Sequence, residues 1–237
     1  MQSAPPAIKS RTFSDIALVQ RLKNIQTLFL DYDGCIHESL IIYAPAFRKA
    51  QDYLCRQGLA QKRDWPDCEI RPWIGLDPKT MWQQFRPDLP KHIRQAASDV
   101  ISAHMAATAK SNARLYPGAA DTLQVLKNRG YTLVLISHCT QEYLSLHDQV
   151  FSLRQYFEAM ISSETFGYAG KADILAQVAQ KFPSNQSMIG DRGLDIKAGR
   201  QNNMLTVGAL YGYASYACEL ERADYLIDSI KQLKNLF

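Results

Sequence analysis

The feature that most constrains the fold is a short apolar run that recurs along the chain. The runs occupy residues 27–30, 132–136, 187–189, 204–207 and 225–227. Consecutive apolar residues over so few positions are typical of strands in a parallel sheet that is covered on both faces. Helical patterns separate or follow the runs at residues 119–129, 141–150, 172–181 and 194–201. We therefore predict an α/β fold with a doubly wound parallel sheet, in which ligands bind beyond the carboxyl ends of the strands.

One connection in this pattern is too long for a simple crossover. Roughly a hundred residues separate the first run from the second, where about a dozen would be enough. Residues 40–113 hold all 3 tryptophans and a long helical pattern. We predict that 40–113 form a helical cap domain, hinged near Ser39 and Arg114, on a core of residues 25–39 and 114–237. Residues 1–24 are predicted to be an N-terminal tail and a short helix.

Composition and charge narrow the classes of partner. Hydrophobic residues make up 46% and charged residues 21% of the 237 residues, as in ordinary globular proteins. The net charge of +4 is not concentrated in a basic run, so nucleic acid is not an expected partner. No apolar stretch approaches the ~20 residues of a membrane span, and no signal-like segment is visible. We expect no membrane partner, a cytoplasmic location and 5 free cysteines, and we leave the oligomeric state open.

Four carboxylates follow two of the predicted strands. Asp31 and Asp33 come directly after the first run, and Gly34 then allows a sharp turn; Asp191 and Asp195 follow the run at 187–189. Acidic turns and helix caps are also ordinary structural features, but four converging carboxylates would repel each other without a cation. Together with the backbone carbonyl of Asp33, they offer the oxygen ligands that Mg²⁺ prefers, and we predict a magnesium site.

Groups suited to phosphate occur beside the same strand ends. Ser137 and His138 end the second run, and Lys171 begins a helical pattern, where the helix dipole disfavours a cation unless an anion is nearby. A serine that merely ends a strand and a solvated lysine are the alternative explanations. We assign Gly34, Ser137, His138 and Lys171 to substrate binding, with a small phosphorylated metabolite as the expected partner.

The four segments resemble, in order and spacing, the four motifs of the haloacid dehalogenase superfamily, and most of all its phosphoglycolate phosphatase-like branch. The segments are DYDG, VLISH, Lys171 and GDRGLD, and the likeness runs from about residue 25 to 236. The sequence differs from the usual motifs at three positions. Cysteine replaces a common threonine at 35, histidine a common asparagine at 138, and alanine a frequent proline at 172.

The resemblance implies a magnesium-dependent phosphatase that works through an aspartyl-phosphate. Asp31 would be the nucleophile and Asp33 the general acid and base, while Ser137 and Lys171 hold the phosphate. Asp191 would bind Mg²⁺ directly, with Asp195 in support. We expect neighbouring carboxylates to raise the pKa of Asp33 towards the range that acid–base catalysis needs.

Three alternatives stay open on the sequence alone. A phosphomutase of the same fold would return the phosphoryl group to a sugar instead of water. A phospho-receiver would carry its acceptor aspartate on a later strand and would be about half as long. A catalytically silent phosphate-binding protein would keep the fold without turnover. In the predicted cap, the candidates for contacting the leaving group are Lys79, Arg86, Lys91, His92 and Arg94, although each is more often just a solvated helix side chain.

Overall fold

A six-stranded parallel sheet forms the centre of the molecule. The computed structural model describes residues 16–214 and 216–237, so residues 1–15 of the predicted tail lie outside the described part. The strands are β1 (Thr27–Leu30), β2 (Thr132–Ser137), β3 (Ala159–Ser162), β4 (Gln186–Gly190), β5 (Leu205–Ala209) and β6 (Tyr225–Ile227). Their order is β3-β2-β1-β4-β5-β6, with every neighbouring pair parallel. The predicted doubly wound fold is confirmed, with β3 as a strand that the sequence pattern did not indicate.

Helices cover both faces of this sheet. They are α1 (Ile16–Lys23), α2 (Leu40–Arg56), α3 (Asp67–Ile70), α4 (Pro78–Phe85), α5 (Lys91–Asn112), α6 (Ala119–Asn128), α7 (Gln141–Phe151), α8 (Lys171–Val178), α9 (Gly193–Gln201) and α10 (Leu233–Leu236). Alternate residues of β1 face opposite sides. Leu28 and Leu30 pack in one cluster with Leu123 of α6, whereas Phe29 packs in another with Ile174 of α8. Because β1 is buried on both faces, its four residues read as a continuous apolar run.

The inserted residues fold into α2, α3, α4 and α5. Helices α2 and α5 pack against each other around a cluster of their own that includes Ala46, Leu54, Trp82 and Ile101. Where the insertion leaves and rejoins the core, the two chain segments run side by side. The Glu38 N–H donates to the carbonyl of Arg114, and the Tyr116 N–H to that of Ile36, both at 2.9 Å. The predicted domain boundaries at 39 and 114 lie beside these two hydrogen bonds. The division into a core and a cap, with a hinge at this point, stays a prediction.

Three polar contacts fix the inserted helices above the strand ends. Arg192 Nη1 donates to the carbonyl oxygens of Ile74 at 2.6 Å and Pro72 at 3.2 Å. The Arg71 guanidinium donates to the carbonyl of Gly212. The Leu40 N–H donates to the hydroxyl of Tyr213 at 2.9 Å. None of the helices described is long and apolar enough to cross a bilayer.

Candidate active site

The loop after β1 brings Asp31 to the centre of the sheet edge. Asp31 is 3% exposed, and its N–H donates to the carbonyl of Ile189 on β4 at 2.9 Å. The chain then turns at Gly34, whose φ of +89° is open mainly to glycine. A Cβ at position 34 would lie 2.2 Å from Oδ2 of Asp191. This loop therefore requires glycine both for its backbone conformation and for the close approach of Asp191.

Lys171 joins two of the predicted carboxylates. As the first residue of α8 it is 5% exposed, and its Nζ lies 2.8 Å from Asp31 Oδ1 and 2.5 Å from Asp195 Oδ1. A cation at a helix N-terminus is disfavoured by the helix dipole, and burial also disfavours its charge. The two carboxylates outweigh burial and raise the pKa of Lys171 above its ordinary value. The lysine is therefore charged within the site.

Asp191 and Asp195 approach from the end of β4 and the first turn of α9. Asp195 is 1% exposed, and its Oδ2 accepts the Arg192 N–H at 3.0 Å, which caps the start of α9. Asp191 is fully buried, and its Oδ2 accepts the Tyr213 N–H at 2.5 Å. Its other oxygen, Oδ1, is buried without a hydrogen-bond partner in the part of the chain that is described. Buried polar atoms without a partner are uncommon in folded proteins, so this oxygen is available to bind a ligand.

The carboxylates of Asp31, Asp191 and Asp195 fit a divalent cation. One oxygen from each lies within 4.8 Å of the others, and all three residues are buried. An all-oxygen donor set without histidine or cysteine suits a hard ion such as Mg²⁺. The unpartnered Oδ1 of Asp191 is on one of these three carboxylates. The three predicted side chains are thus together and arranged to hold a metal.

The pKa values of Asp31 and Asp191 are also consistent with a cation site. Burial, followed by the charge of Asp195, raises the pKa of Asp31 to about 7, although Lys171 opposes the shift. Burial and the charges of Asp31 and Asp195 raise the pKa of Asp191 well above its ordinary value. One lysine does not balance three carboxylates. A divalent cation would supply the missing positive charge.

Asp33 lies apart from this cluster, and the expectation of a raised pKa was wrong. Its Oδ1 accepts the Tyr143 hydroxyl at 2.8 Å and lies 3.1 Å from Nδ1 of His37. Burial raises the pKa of Asp33, but the hydrogen bonds and charge from His37 and the bond from Tyr143 outweigh it, so the net shift is downward. Its carboxylate is not among the gathered oxygens, and a ligand role for its backbone carbonyl stays a prediction.

Ser137 and His138 lie at the end of β2, next to β1. Ser137 is 2% exposed and ends the strand. Burial and the charge of Lys171 lower the pKa of His138 to about 4, so the ring is neutral at neutral pH. His138 faces a cavity between α5 and α7 that also reaches Asp33. The structure thus places both residues at the edge where Asp31 and Lys171 lie, while their binding roles stay predictions.

Asp33 is held in place by residues that the sequence patterns did not indicate. His37 stands four positions after Asp33, and Tyr143 comes from α7, 110 positions away. Behind them, the Tyr32 hydroxyl lies 2.7 Å from Nδ1 of His147, and the His37 and His147 rings are 4.6 Å apart between centroids. The Asp33 and His37 spacing was a usable signal, because a tight loop brings such positions together. No local pattern links Tyr143 to the loop.

The chain is similar in sequence to a known hydrolase family and to phosphatases. A family model described as haloacid dehalogenase-like hydrolase matches residues 29–209. A phosphoglycolate phosphatase from Nitrosococcus oceani is 26% identical over 227 residues, which cover 91% of this chain and 97% of that protein.

Two solved structures share the fold. The crystal structure of a predicted phosphoglycolate phosphatase from Haemophilus somnus has a TM-score of 0.75 at 18% identity, covering 90% of this chain and 97% of that one. A predicted phosphatase from Clostridium acetobutylicum has a TM-score of 0.75 at 23% identity, with coverages of 89% and 97%. At these identities the likeness concerns the fold.

Proposed function

Because the chain belongs to the haloacid dehalogenase-like hydrolase family, we propose that it is a magnesium-dependent phosphatase acting on a small phosphate monoester. The observation that supports this most is Lys171, buried between Asp31 and Asp195 beside the three gathered carboxylates. A buried cation next to a cation-binding cluster is suited to a ligand with several negative oxygens. A phosphoryl group is such a ligand.

Asp31 is the proposed nucleophile. One carboxylate oxygen forms a bond to phosphorus as the bond between phosphorus and the alcohol oxygen breaks, which leaves an aspartyl-phosphate. Water then attacks the phosphorus, and inorganic phosphate leaves with Asp31 restored. The contacts that fix the Asp31 loop hold this carboxylate in one position, which is where much of the rate acceleration of phosphoryl transfer arises.

Charge neutralisation is assigned to the groups around Asp31. Mg²⁺, when bound by Asp31, Asp191 and Asp195, would offset the charge of the phosphoryl oxygens. Lys171 would turn one of its N–H donors towards those oxygens while keeping a carboxylate partner. The Ser137 hydroxyl, at the neighbouring strand end, would hold a further phosphoryl oxygen, together with the backbone at Gly34 and His138.

Asp33 is the proposed acid and base. In the structure the Tyr143 and His37 contacts favour its ionised form, which suits the second step, where it accepts a proton from the attacking water. In the first step Asp33 must give a proton to the departing alcohol oxygen. A phosphate dianion beside it would raise its pKa and favour its protonation.

The test is phosphate release from 4-nitrophenyl phosphate, benzyl phosphate and phosphoglycolate, with magnesium or with a chelator. We include phosphoglycolate because curated relatives carry its name. Asp31→Asn should reduce kcat on the order of 10³-fold or more. Asp33→Asn should spare the nitrophenyl ester, whose leaving group needs no proton, more than the benzyl ester. Asp52→Asn, at an exposed position in α2, is the matched control.

The outcomes separate the alternatives. Free phosphate with a transient phosphorylated protein in acid-quenched mass spectra supports hydrolysis through Asp31. Transfer of the phosphoryl group to a sugar without free phosphate would indicate a phosphomutase. Magnesium and phosphate binding without any turnover would indicate a silent binding protein. We also propose a cytoplasmic location, which agrees with the free thiols of all five cysteines.

A further inference from the structure

A cavity of about 380 Å³ lies beside Asp33, between the inserted helices and the core. One wall comes from α5 and the segment around residues 73–78, and the other from His138 and α7. Its volume is within the ~300–1,000 Å³ usual for small-molecule sites. If Asp33 protonates the leaving oxygen, the organic part of the substrate must extend into this cavity. The chemistry of the lining therefore selects the alcohol.

Apolar side chains dominate this lining. They come from both walls and are Tyr43, Trp73, Ile74, Leu76, Met105 and Leu146. Ile74 is nearly fully buried, and the others are partly exposed to the cavity and solvent. Burying apolar groups of a ligand against such a surface stabilises the complex by roughly 25 cal/mol for each Å² of apolar area removed from water. A glycolate group offers little apolar area to cover.

The charges of the lining are acidic. Asp33, Asp99 and Glu142 contribute carboxylates, and none of the described residues that line the cavity is a lysine or an arginine. His138 is present as a neutral ring at neutral pH. The Arg192 guanidinium contacts the backbone of Ile74 in the lining, but it is bound to that carbonyl and to the carboxylate of Glu219. A substrate carboxylate in this cavity would find no lysine or arginine among the lining residues, and it would face the like charges of Asp99 and Glu142.

The basic residues that the sequence suggested for leaving-group contact do not supply one. Arg86 pairs with Asp88 at 2.7 Å and also donates to the carbonyl of Leu59. Lys79, Lys91 and His92 are exposed, and neither they nor Arg94 line the cavity. The described cap residues thus leave the cavity without a positive charge.

Given the phosphatase function proposed above, we infer that the preferred substrates are phosphate monoesters of alcohols with an apolar body and no anionic group. Phosphoglycolate is then a poor substrate, since its leaving group is small and carries a carboxylate. The acidic lining admits neutral alcohols and disfavours anionic ones, because a carboxylate placed there would lose contact with water, gain no lysine or arginine partner and be repelled by Asp99 and Glu142.

The test compares two esters that differ by one charge. Benzyl phosphate and 4-carboxybenzyl phosphate have similar alcohol leaving groups, so a difference in kcat/KM reports on the cavity and not on bond breaking. We expect kcat/KM to be at least about tenfold higher for benzyl phosphate, with phosphoglycolate also below it. Equal or faster turnover of either carboxylated ester would overturn the inference.

A matched pair of variants tests whether the cavity is responsible. Ser102 lines the cavity from α5 and is exposed, so Ser102→Arg places a cation there with little risk to folding. Ser111→Arg makes the same change on the same helix, at an exposed position outside the lining. Ser102→Arg should raise kcat/KM for 4-carboxybenzyl phosphate relative to benzyl phosphate by about tenfold, and Ser111→Arg should not. An equal effect of both variants would contradict a role for the cavity.

A failure of the proposed phosphatase function would give a different result from a failure of the selectivity inference. Without magnesium-dependent release from any ester, the phosphatase assignment is wrong. Selectivity is then decided by equilibrium binding of benzylphosphonate and 4-carboxybenzylphosphonate, which needs no turnover. Tighter binding of the uncharged phosphonate supports the inference, and equal or weaker binding overturns it.

Discussion

At the scale of single residues, the site depends on how closely backbone and carboxylate approach each other. The Asp191 side chain lies between two glycines. A Cβ at Gly34 would be 2.2 Å from Asp191 Oδ2, and one at Gly212 would be 2.2 Å from Asp191 Cβ. Both glycines therefore make room for Asp191, whose carboxylate, with its unpartnered Oδ1, is one of the three gathered carboxylates.

Comparing Gly34→Ala with a control variant should distinguish the effect of this close approach from the effect of backbone strain. The control is Gly58→Ala, because Gly58 has a similar φ of +70° but no atom within 4 Å of the position that its Cβ would occupy. Gly58→Ala should cost about 1 kcal/mol of unfolding free energy from its positive φ alone, and it should leave turnover unchanged. Gly34→Ala should cost at least about 3 kcal/mol and weaken magnesium activation, because Asp191 must move.

Urea unfolding and magnesium titrations of phosphate release measure the two effects. Equal losses of stability in the two variants, with unchanged magnesium dependence, would mean that Gly34 serves only the turn.

At the scale of elements, the sequence indicated five of the six strands and missed the edge strand β3. Strand β1 coincides with a predicted run because it is buried on both faces and continuously apolar. Strand β6, at the opposite edge, also coincides with a short apolar run, although two of its residues are only half-buried. Strand β3 has four residues, three of them half-buried, and stands between short helical turns. Its pattern is too short and too mixed to indicate a strand. Its pairing with β2 supplies what the local sequence does not.

The candidate site was likewise predictable only in part from the sequence. Asp31, Lys171, Asp191 and Asp195 lie together as predicted, because they follow strands or belong to the first turn of a helix, and parallel topology brings such positions to one edge. The superfamily membership read from these motifs is confirmed by the family model. The surroundings of Asp33 were not predicted: the His37 signal was overlooked, and Tyr143 reaches Asp33 only through tertiary packing. The predicted sign of the Asp33 pKa shift was wrong mainly because of the hydrogen bond and charge of His37, to which the Tyr143 hydrogen bond adds.

The junction between the inserted helices and the core can be tested at Arg192. Its guanidinium bonds to two carbonyls of the segment at 72–74, and hydrogen bonds from charged groups are worth about 1.5–3 kcal/mol. Arg192→Met should raise KM about tenfold with a smaller effect on kcat, because the cavity wall around Ile74 loses its support. The control is Arg200→Met, which removes a guanidinium bonded to the carbonyl of Arg222 on the outer side of the same helix.

Steady-state kinetics with benzyl phosphate provide the measurement. If both variants keep the KM of the unaltered protein, the Arg192 contacts do not position the wall.

At the scale of the whole molecule, the buried carboxylates link stability to pH and to metal. The pKa of Asp31 is about 7 in the folded protein and 3.8 in an unfolded reference. Below both values the carboxyl is protonated in either state. Between them only the folded protein retains the proton, so stability from this group is lost as the pH rises from about 4 to about 7. The loss amounts to at most about 4 kcal/mol.

Asp31→Asn should remove this dependence. Without metal, the unfolding free energy of the variant should rise relative to that of the unaltered protein between pH 4 and pH 7. Comparing the two proteins cancels the contributions of titrating groups that do not interact with Asp31, while the change at Asp191, whose pKa the Asp31 charge raises, adds to the difference in the same direction. Magnesium should stabilise the unaltered protein more at pH 7 than at pH 5, since the cation takes over the role of the proton. Urea unfolding at both pH values, with Asp52→Asn for comparison, provides the check. A constant difference between variant and unaltered protein would contradict the assigned shift.

The proposed reactive groups and most of the apolar lining of the cavity come from different parts of the chain. The groups that would handle phosphorus, Asp31, Ser137 and Lys171, belong to core elements, whereas Trp73, Leu76 and Met105 belong to the insertion. Most contacts that would select the alcohol are therefore encoded apart from the reactive groups, while α7 completes the lining from the core side. Exchanging a handful of side chains on α5 would retune which alcohol is accepted while the bond-breaking apparatus remained intact. Such independence makes this scaffold a convenient starting point for engineering new specificities.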